Sequence, residues 1–217
     1  MFCNKNKIKT NDPEQLRKII KPLMKEKRYI HSAGVEKEAE AIAKIYGCSE
    51  DIIKKLRIAA ILHDITKEFE IEKQLEICGA YGIKLSDDDL KAFKPIHAKT
   101  GAYIAKIEFG ADETVFDLIY NHTILDPSKA FCLFERIVYL ADWTEKNRDY
   151  GDCAEVRDYF YSRINKAETP AEKNKILDET ILFSCNKSIK ALLEDNLFVH
   201  KATIECRNAL ILNKITV

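Results

Sequence analysis

From Leu16 onward the apolar residues recur at three- and four-residue intervals, and no alternating run is long enough to demand a β-strand. Leu16, Ile19, Ile20 and Leu23 share a first stripe. His31, Val35, Ala39, Ile42 and Tyr46 mark a second face that stops at Gly47, a residue suited to a C-cap. Ser49 is placed to cap a third helix bearing Ile52, Ile53, Leu56, Ala59, Ala60 and Leu62, whose apolar end delivers His63 and Asp64. Between Glu68 and Pro95 the pattern weakens; CGAYG and SDDD read as turns around one short helix, so a loop or lid is expected there. Helical spacing returns over 97–109, 112–122 and 130–144, with Leu133, Ile137, Leu140 and Ala141 on one face, and three further helices fit 152–166, 170–194 and 200–212. The expected fold is all-α. A chain of 217 residues suits one well-buried core, so a single domain over 1–217 is expected. Its core motifs lie in about 14–150, and the helices of 152–217 pack on it.

Charge and cysteine usage narrow the class of function. Lys plus Arg (35) balances Asp plus Glu (35), so no global positive field draws a nucleic acid or an anionic membrane, and an anionic substrate needs a local site. The seven cysteines are scattered singly, without a C-x-x-C pair, as reduced thiols in a cytosol would be. MFCNKNKIKTNDPEQ lacks a signal peptide's apolar stretch, and no apolar run approaches the roughly 20 residues of a membrane span, so a soluble cytoplasmic protein is expected.

Only five histidines occur, at 31, 63, 97, 122 and 200, and the first four lie on or beside apolar helical faces. Singly, each also suits a hydrogen-bonded core or cap position. In AAILHDITKEF, however, His63 and Asp64 point about 100° apart on a helix. One ion at their edge takes an imidazole nitrogen and a carboxylate oxygen, leaving the second oxygen free to bridge. RIVYLADW ends an apolar run on a second acid, Asp142, and an unpaired buried carboxylate costs several kcal/mol, so a cation or donors must accompany it. A cap, or an ion pair with Arg148 or Lys146, satisfies it equally well.

The order His31, His63-Asp64, Asp142 resembles the H…HD…D signature of the HD superfamily of helical metal-dependent phosphohydrolases. RYIHSAGV, LHDITKE, PIHAKTGAY, NHT and FERIVYLADWTEKNR are similar, in order over about residues 14–190, to the motifs of the YqeK-type symmetrical bis(5'-nucleosyl)-tetraphosphatases. The resemblance implies an HD-domain helical bundle and a di-iron centre. His31, His63, Asp64 and Asp142 would surround one metal, with Asp64 bridging to a second held by His97 and His122. Such a nitrogen and oxygen donor set suits iron, manganese or zinc, and two divalent ions against two carboxylates leave a charge of about +2 to attract a polyphosphate.

The implied reaction is hydrolysis of diadenosine tetraphosphate to two ADP by a metal-activated hydroxide, with Asp64 and Lys67 as catalytic residues and Lys67 and Arg148 on substrate phosphates. Lys67 and Arg148 also suit solvated surface positions. Within the same class a nucleoside 5'-monophosphatase, a guanosine pyrophosphate hydrolase or a cyclic-dinucleotide phosphodiesterase stands as the alternative; outside it, a non-catalytic nucleotide-binding regulator. A nucleotide polyphosphate is the expected partner, with no membrane and no nucleic acid, and a homodimer is left open. The chain departs from the family pattern at Ala98, at Tyr120 and at Ile124-Leu125, which bears on phosphate contacts and base preference but not on the ligands. His200 stands outside the ligand set as a cap or surface residue. Trp143 and the cysteines pack the core, or Trp143 stacks on a base.

Overall fold

The structure, a computed structural model, describes residues 9–126 and 132–215. The expected helix start at Ala130, the N-terminal stretch to residue 8 and Cys3 lie outside those residues. Regular structure among the described residues is entirely helical, in eleven α-helices.

The third of them, α3 (Glu50–Leu62), organises the rest, because Ile58, Ala59, Ala60, Ile61 and Leu62 are all buried and a helix apolar on every side needs neighbours all round. They are supplied by α1 (Pro13–Ile20), α2 (Glu26–Ile45), α6 (Ile96–Glu108), α7 (Glu113–Tyr120) and α8 (Leu133–Thr144). Behind α8 come α9 (Gly151–Ile164) and α10 (Pro170–Glu194), and α11 (Lys201–Ile215) lies along α10. One apolar core runs through all of these, from Leu16 in α1 to Leu210 in α11.

Local chemistry sets the helix ends. The Ser49 hydroxyl accepts from the Ile52 amide at the start of α3, and Gly47 takes the left-handed φ of +67° that ends the run from α2. The first stripe breaks sooner than its spacing predicts. Pro22 has no N–H to offer the Lys18 carbonyl, so α1 stops at Ile20 and a 3-10 turn, Lys21–Leu23, carries Leu23 onto the core.

The segment between Glu68 and Pro95 corrects the expectation of a loop or lid around one short helix. It holds two helices, α4 (Ile71–Tyr81) and α5 (Asp87–Ala92), and α4 packs on α6 with Gln74, Ile77 and Cys78 buried. CGAYG is the last turn of α4, closed by Gly82 at φ +65°, and the serine of SDDD opens α5 in a reciprocal Ser86–Asp89 cap.

Candidate metal centre

The buried end of α3 carries His63 and Asp64 into the turn that follows, at the middle of the bundle. Three more helix termini and the first half of α2 converge on them. His31 projects from α2, His97 opens α6, His122 lies just past α7, and Asp142 comes from the last turn of α8. The structure thus brings all six candidate ligand residues together.

Asp64 faces two groups with its two oxygens. Oδ2 lies 3.6 Å from His31 Nε2 and 3.4 Å from His63 Nε2, while Oδ1 lies 3.1 Å from His97 Nε2 and 3.6 Å from His122 Nε2. Asp142 Oδ1 completes the first group, 2.9 Å from His31 Nε2 and 3.7 Å from His63 Nε2.

Each imidazole is held by its other nitrogen. His63, His97 and His122 donate Nδ1–H to the carbonyl three residues earlier, of Ala60 (2.7 Å), Lys94 (2.5 Å) and Ile119 (2.6 Å). His31 Nδ1 bonds Glu145 Oε1 at 3.0 Å. All four rings therefore turn Nε2 to the centre, as metal-ligating imidazoles do.

The electrostatics call for cations. Burial pulls the His97 pKa down to about 3 and also lowers that of His122, so both rings are neutral near pH 7. Their Nε2 lone pairs then meet at 3.1 Å, which is repulsive unless a cation stands beside them; the Lys67 ammonium does so, 3.0 Å from His97 Nε2. At His63 burial again disfavours the charged ring, but Asp64 and Asp142 together outweigh it and hold the pKa up at about 9. Burial likewise opposes ionisation of the two carboxylates. His63 and Lys67 around Asp64, and Arg148 and His31 around Asp142, nevertheless hold both well below the usual range.

These atoms fit a divalent ion. His31 Nε2, His63 Nε2, Asp64 Oδ1 and Asp142 Oδ1 are buried without a hydrogen-bond partner, a condition native interiors rarely leave uncorrected. His31, His63 and Asp142 offer ligand atoms all within 4.8 Å of one another, and so do His63, Asp64 and His122. Mixed imidazole and carboxylate donors suit iron, manganese or zinc.

Of the other predicted residues, Lys67 Nζ lies 3.9 Å from Asp64 Oδ1, and Arg148 pairs with Asp142 Oδ1 at 3.0 Å while Lys146 is exposed. Arg157 fixes the chain that presents Arg148. It donates to the carbonyls of Thr144 (2.6 Å), Glu145 (2.5 Å) and Arg148 (2.6 Å), at and just past the end of α8.

Two residues escaped the sequence reading. Arg28 pairs with Asp64 Oδ2 at 2.5 Å, and Glu145 anchors His31. Each stands three residues from a candidate ligand, Arg28 before His31 and Glu145 after Asp142, a spacing that shares a helix face. Gly34 makes room for this arrangement, since a Cβ there would collide with the Glu145 carboxylate. Replacing Glu145 with Gln should weaken metal retention by about 10–100-fold, the usual cost of losing such an orienting partner. Competition titration against a chelator measures this, and unchanged affinity would contradict it.

A cleft of about 370 Å³ opens from the cluster, between Lys67, His97, His122, Asp142 and Arg148 on one side and α10 and α11 on the other. Trp143, Ile124 and Leu125 line it. Ala98 is fully buried, and Tyr120 stacks on Phe116 with ring centroids 5.6 Å apart. His200 Nδ1 accepts from the Ala202 amide at 3.1 Å, capping the start of α11.

Residues 28–147 match the HD domain family. The chain is 31% identical over 199 residues to a symmetrical bis(5'-nucleosyl)-tetraphosphatase of Halalkalibacterium halodurans, covering 90% of this chain and 95% of that protein. It is 33% identical over 161 residues to the protein of the same name from Bacillus subtilis, covering 73% and 82%. A crystal structure of a predicted HD superfamily hydrolase involved in NAD metabolism, from Clostridium acetobutylicum, superposes with a TM-score of 0.78 at 32% identity, over 92% of this chain and 97% of that one.

Proposed function

The chain belongs to the HD-domain family, alongside the symmetrical bis(5'-nucleosyl)-tetraphosphatases, and from that premise we propose that it hydrolyses diadenosine tetraphosphate to two ADP. The observation that carries the metal-dependent part of this reading is the two-sided placement of Asp64, with a pair of imidazole Nε2 atoms facing each of its oxygens. On this reading His31, His63, Asp64 and Asp142 would hold one divalent ion and His97 and His122, together with Asp64, would hold another; the mixed nitrogen and oxygen donors would suit iron. Divalent ions held there would supply Lewis-acid polarisation of a phosphoryl oxygen and a bound water acidic enough to serve as nucleophile near neutral pH.

The chain's own groups do the rest. The four Nδ1 anchors fix the rings before substrate arrives, so no reorganisation is needed at the moment of reaction. Lys67 and Arg148, both lining the cleft beside the cluster, take the phosphates on either side of the one attacked. There they neutralise the charge that develops as ADP departs. Arg28, paired with Asp64 Oδ2, balances the charge of that carboxylate.

A single folding unit is supported by the continuous core from Leu16 to Leu210. No helix among the described residues is long and apolar enough to cross a membrane, and the even charge balance supports a small anionic partner held at this one site.

The test is an assay of dinucleoside polyphosphates and mononucleotides by product chromatography, alongside metal analysis of the freshly purified protein. Hydrolysis of the tetraphosphate that a chelator abolishes and a divalent metal restores is expected, with the tetraphosphate preferred over its triphosphate homologue. Activity confined to mononucleotides would overturn the substrate assignment.

A further inference from the structure

The two walls of the cleft differ in chemistry. Its lining cations, Lys67, Lys94 and Arg148, all come from the core side. The hairpin of α10 and α11 supplies one lining cation, Lys187, and its ammonium is already shared between Asp152 and Glu155 at 2.7 Å each. Beyond Lys187 the hairpin wall continues through Leu192 to Asp195, eight residues or about 12 Å along a helix, and then to Phe198.

Beyond the hydroxyls of Ser188 and Thr203 and the His200 ring, that wall offers a phosphate chain no lysine or arginine that is not already paired. Leu192 and Phe198 are apolar, and Phe198 stays 42% exposed although it is a large aromatic residue. Asp195 repels an anion. It also stands at the C-terminal end of α10, where the helix dipole disfavours a carboxylate, and among the described residues no side chain pairs with it. Trp143, next to Asp142 on α8, faces the same space from the core side.

We propose that the α10–α11 hairpin is the nucleoside-binding wall of this cleft, with Trp143 and Phe198 as the surfaces on which the base stacks and Asp195 as the acceptor for its donor groups. The inference rests on the reading above only in that the substrate carries a nucleoside. Aromatic faces suit any base, and a carboxylate accepts from ribose hydroxyls or an exocyclic amine. The phosphates then lie along the cationic core wall, and the nucleoside turns toward the hairpin. Nucleoside selectivity accordingly resides outside the helices that carry the histidine cluster.

Trp143 is the only tryptophan in the chain, so its fluorescence reports directly on this site. Adenosine, ADP and inorganic diphosphate are titrated into the metal-loaded protein and into Phe198→Ala and Asp195→Ala variants whose helicity matches the parent. Adenosine and ADP should quench Trp143 saturably, diphosphate should not, and each variant should raise the Kd for adenosine by about tenfold, the loss of one stacking or charge-assisted contact. Quenching by diphosphate equal to that by adenosine, or an adenosine Kd unmoved in both variants, would overturn the proposal. The substrate reading is decided separately by product chromatography. A parent protein that leaves diadenosine tetraphosphate intact, yet binds adenosine through Phe198 and Asp195, refutes that reading and upholds this one.

Discussion

Replacing Asp64 with Ala is expected to empty both metal positions together and to lower turnover by at least about 10³-fold. The expectation follows from the carboxylate's two faces, one toward His31 and His63 and the other toward His97 and His122. The other carboxylate of the cluster, Asp142, turns its Oδ1 to His31 and His63 alone among the four rings. Replacing His122 should instead weaken mainly one position, because Oδ1 and His97 remain. Elemental analysis of the two variants, with folding checked by circular dichroism, separates these outcomes. Full metal occupancy in the Asp64 variant would contradict a shared carboxylate.

The second large effect is expected at Lys67. Its ammonium is held 3.0 Å from His97 Nε2 and 3.9 Å from Asp64 Oδ1, and burial pushes its pKa down against the pull of Asp64 and Asp142. A half-buried cation interacts with a phosphate more strongly than one fully at the surface. Lys67→Met should therefore cut kcat by about 10²–10³-fold, the usual cost of removing one preorganised charge-stabilising group. Metal content should stay at the parent level, since the ammonium is a neighbour of the cluster and not one of its ligand atoms. Loss of metal in this variant, or turnover close to the parent, would show that Lys67 serves the fold of the turn and not the reaction.

Much of this architecture is legible in the sequence because one physical signal governs it. The 3.6-residue period of α2, α3 and α8 both buries their apolar faces and aims His31, His63 and Asp142 at a common point. The segment from Glu68 to Pro95 was misread because its helices are punctuated by glycine and aspartate. Gly79 lies inside α4, where packing on α6 prevails over its low helix propensity, and the three aspartates lie in the first turn of α5, where the cap and the helix dipole favour them.

The site shows the same division. Ligand-type residues announce themselves by identity, whereas Arg28 and Glu145 are ordinary charged residues whose importance lies in what they touch. Their three-residue offsets from His31 and Asp142 were the available signal, and it becomes decisive only once α2 and the end of α8 are known to face each other. The alternatives left open for Asp142 were not exclusive. Arg148 does pair with it, yet the same carboxylate oxygen also lies 2.9 Å from His31 Nε2.

The position of bond cleavage tests the account most directly. Diadenosine tetraphosphate is hydrolysed in ¹⁸O-labelled water by the metal-loaded protein, and the products are separated and their phosphates assigned by mass spectrometry. Attack on a central phosphorus predicts ADP as the sole product, with one labelled oxygen on the β-phosphate of one of the two ADP molecules formed. ATP together with AMP, or label on an α-phosphate, would contradict it.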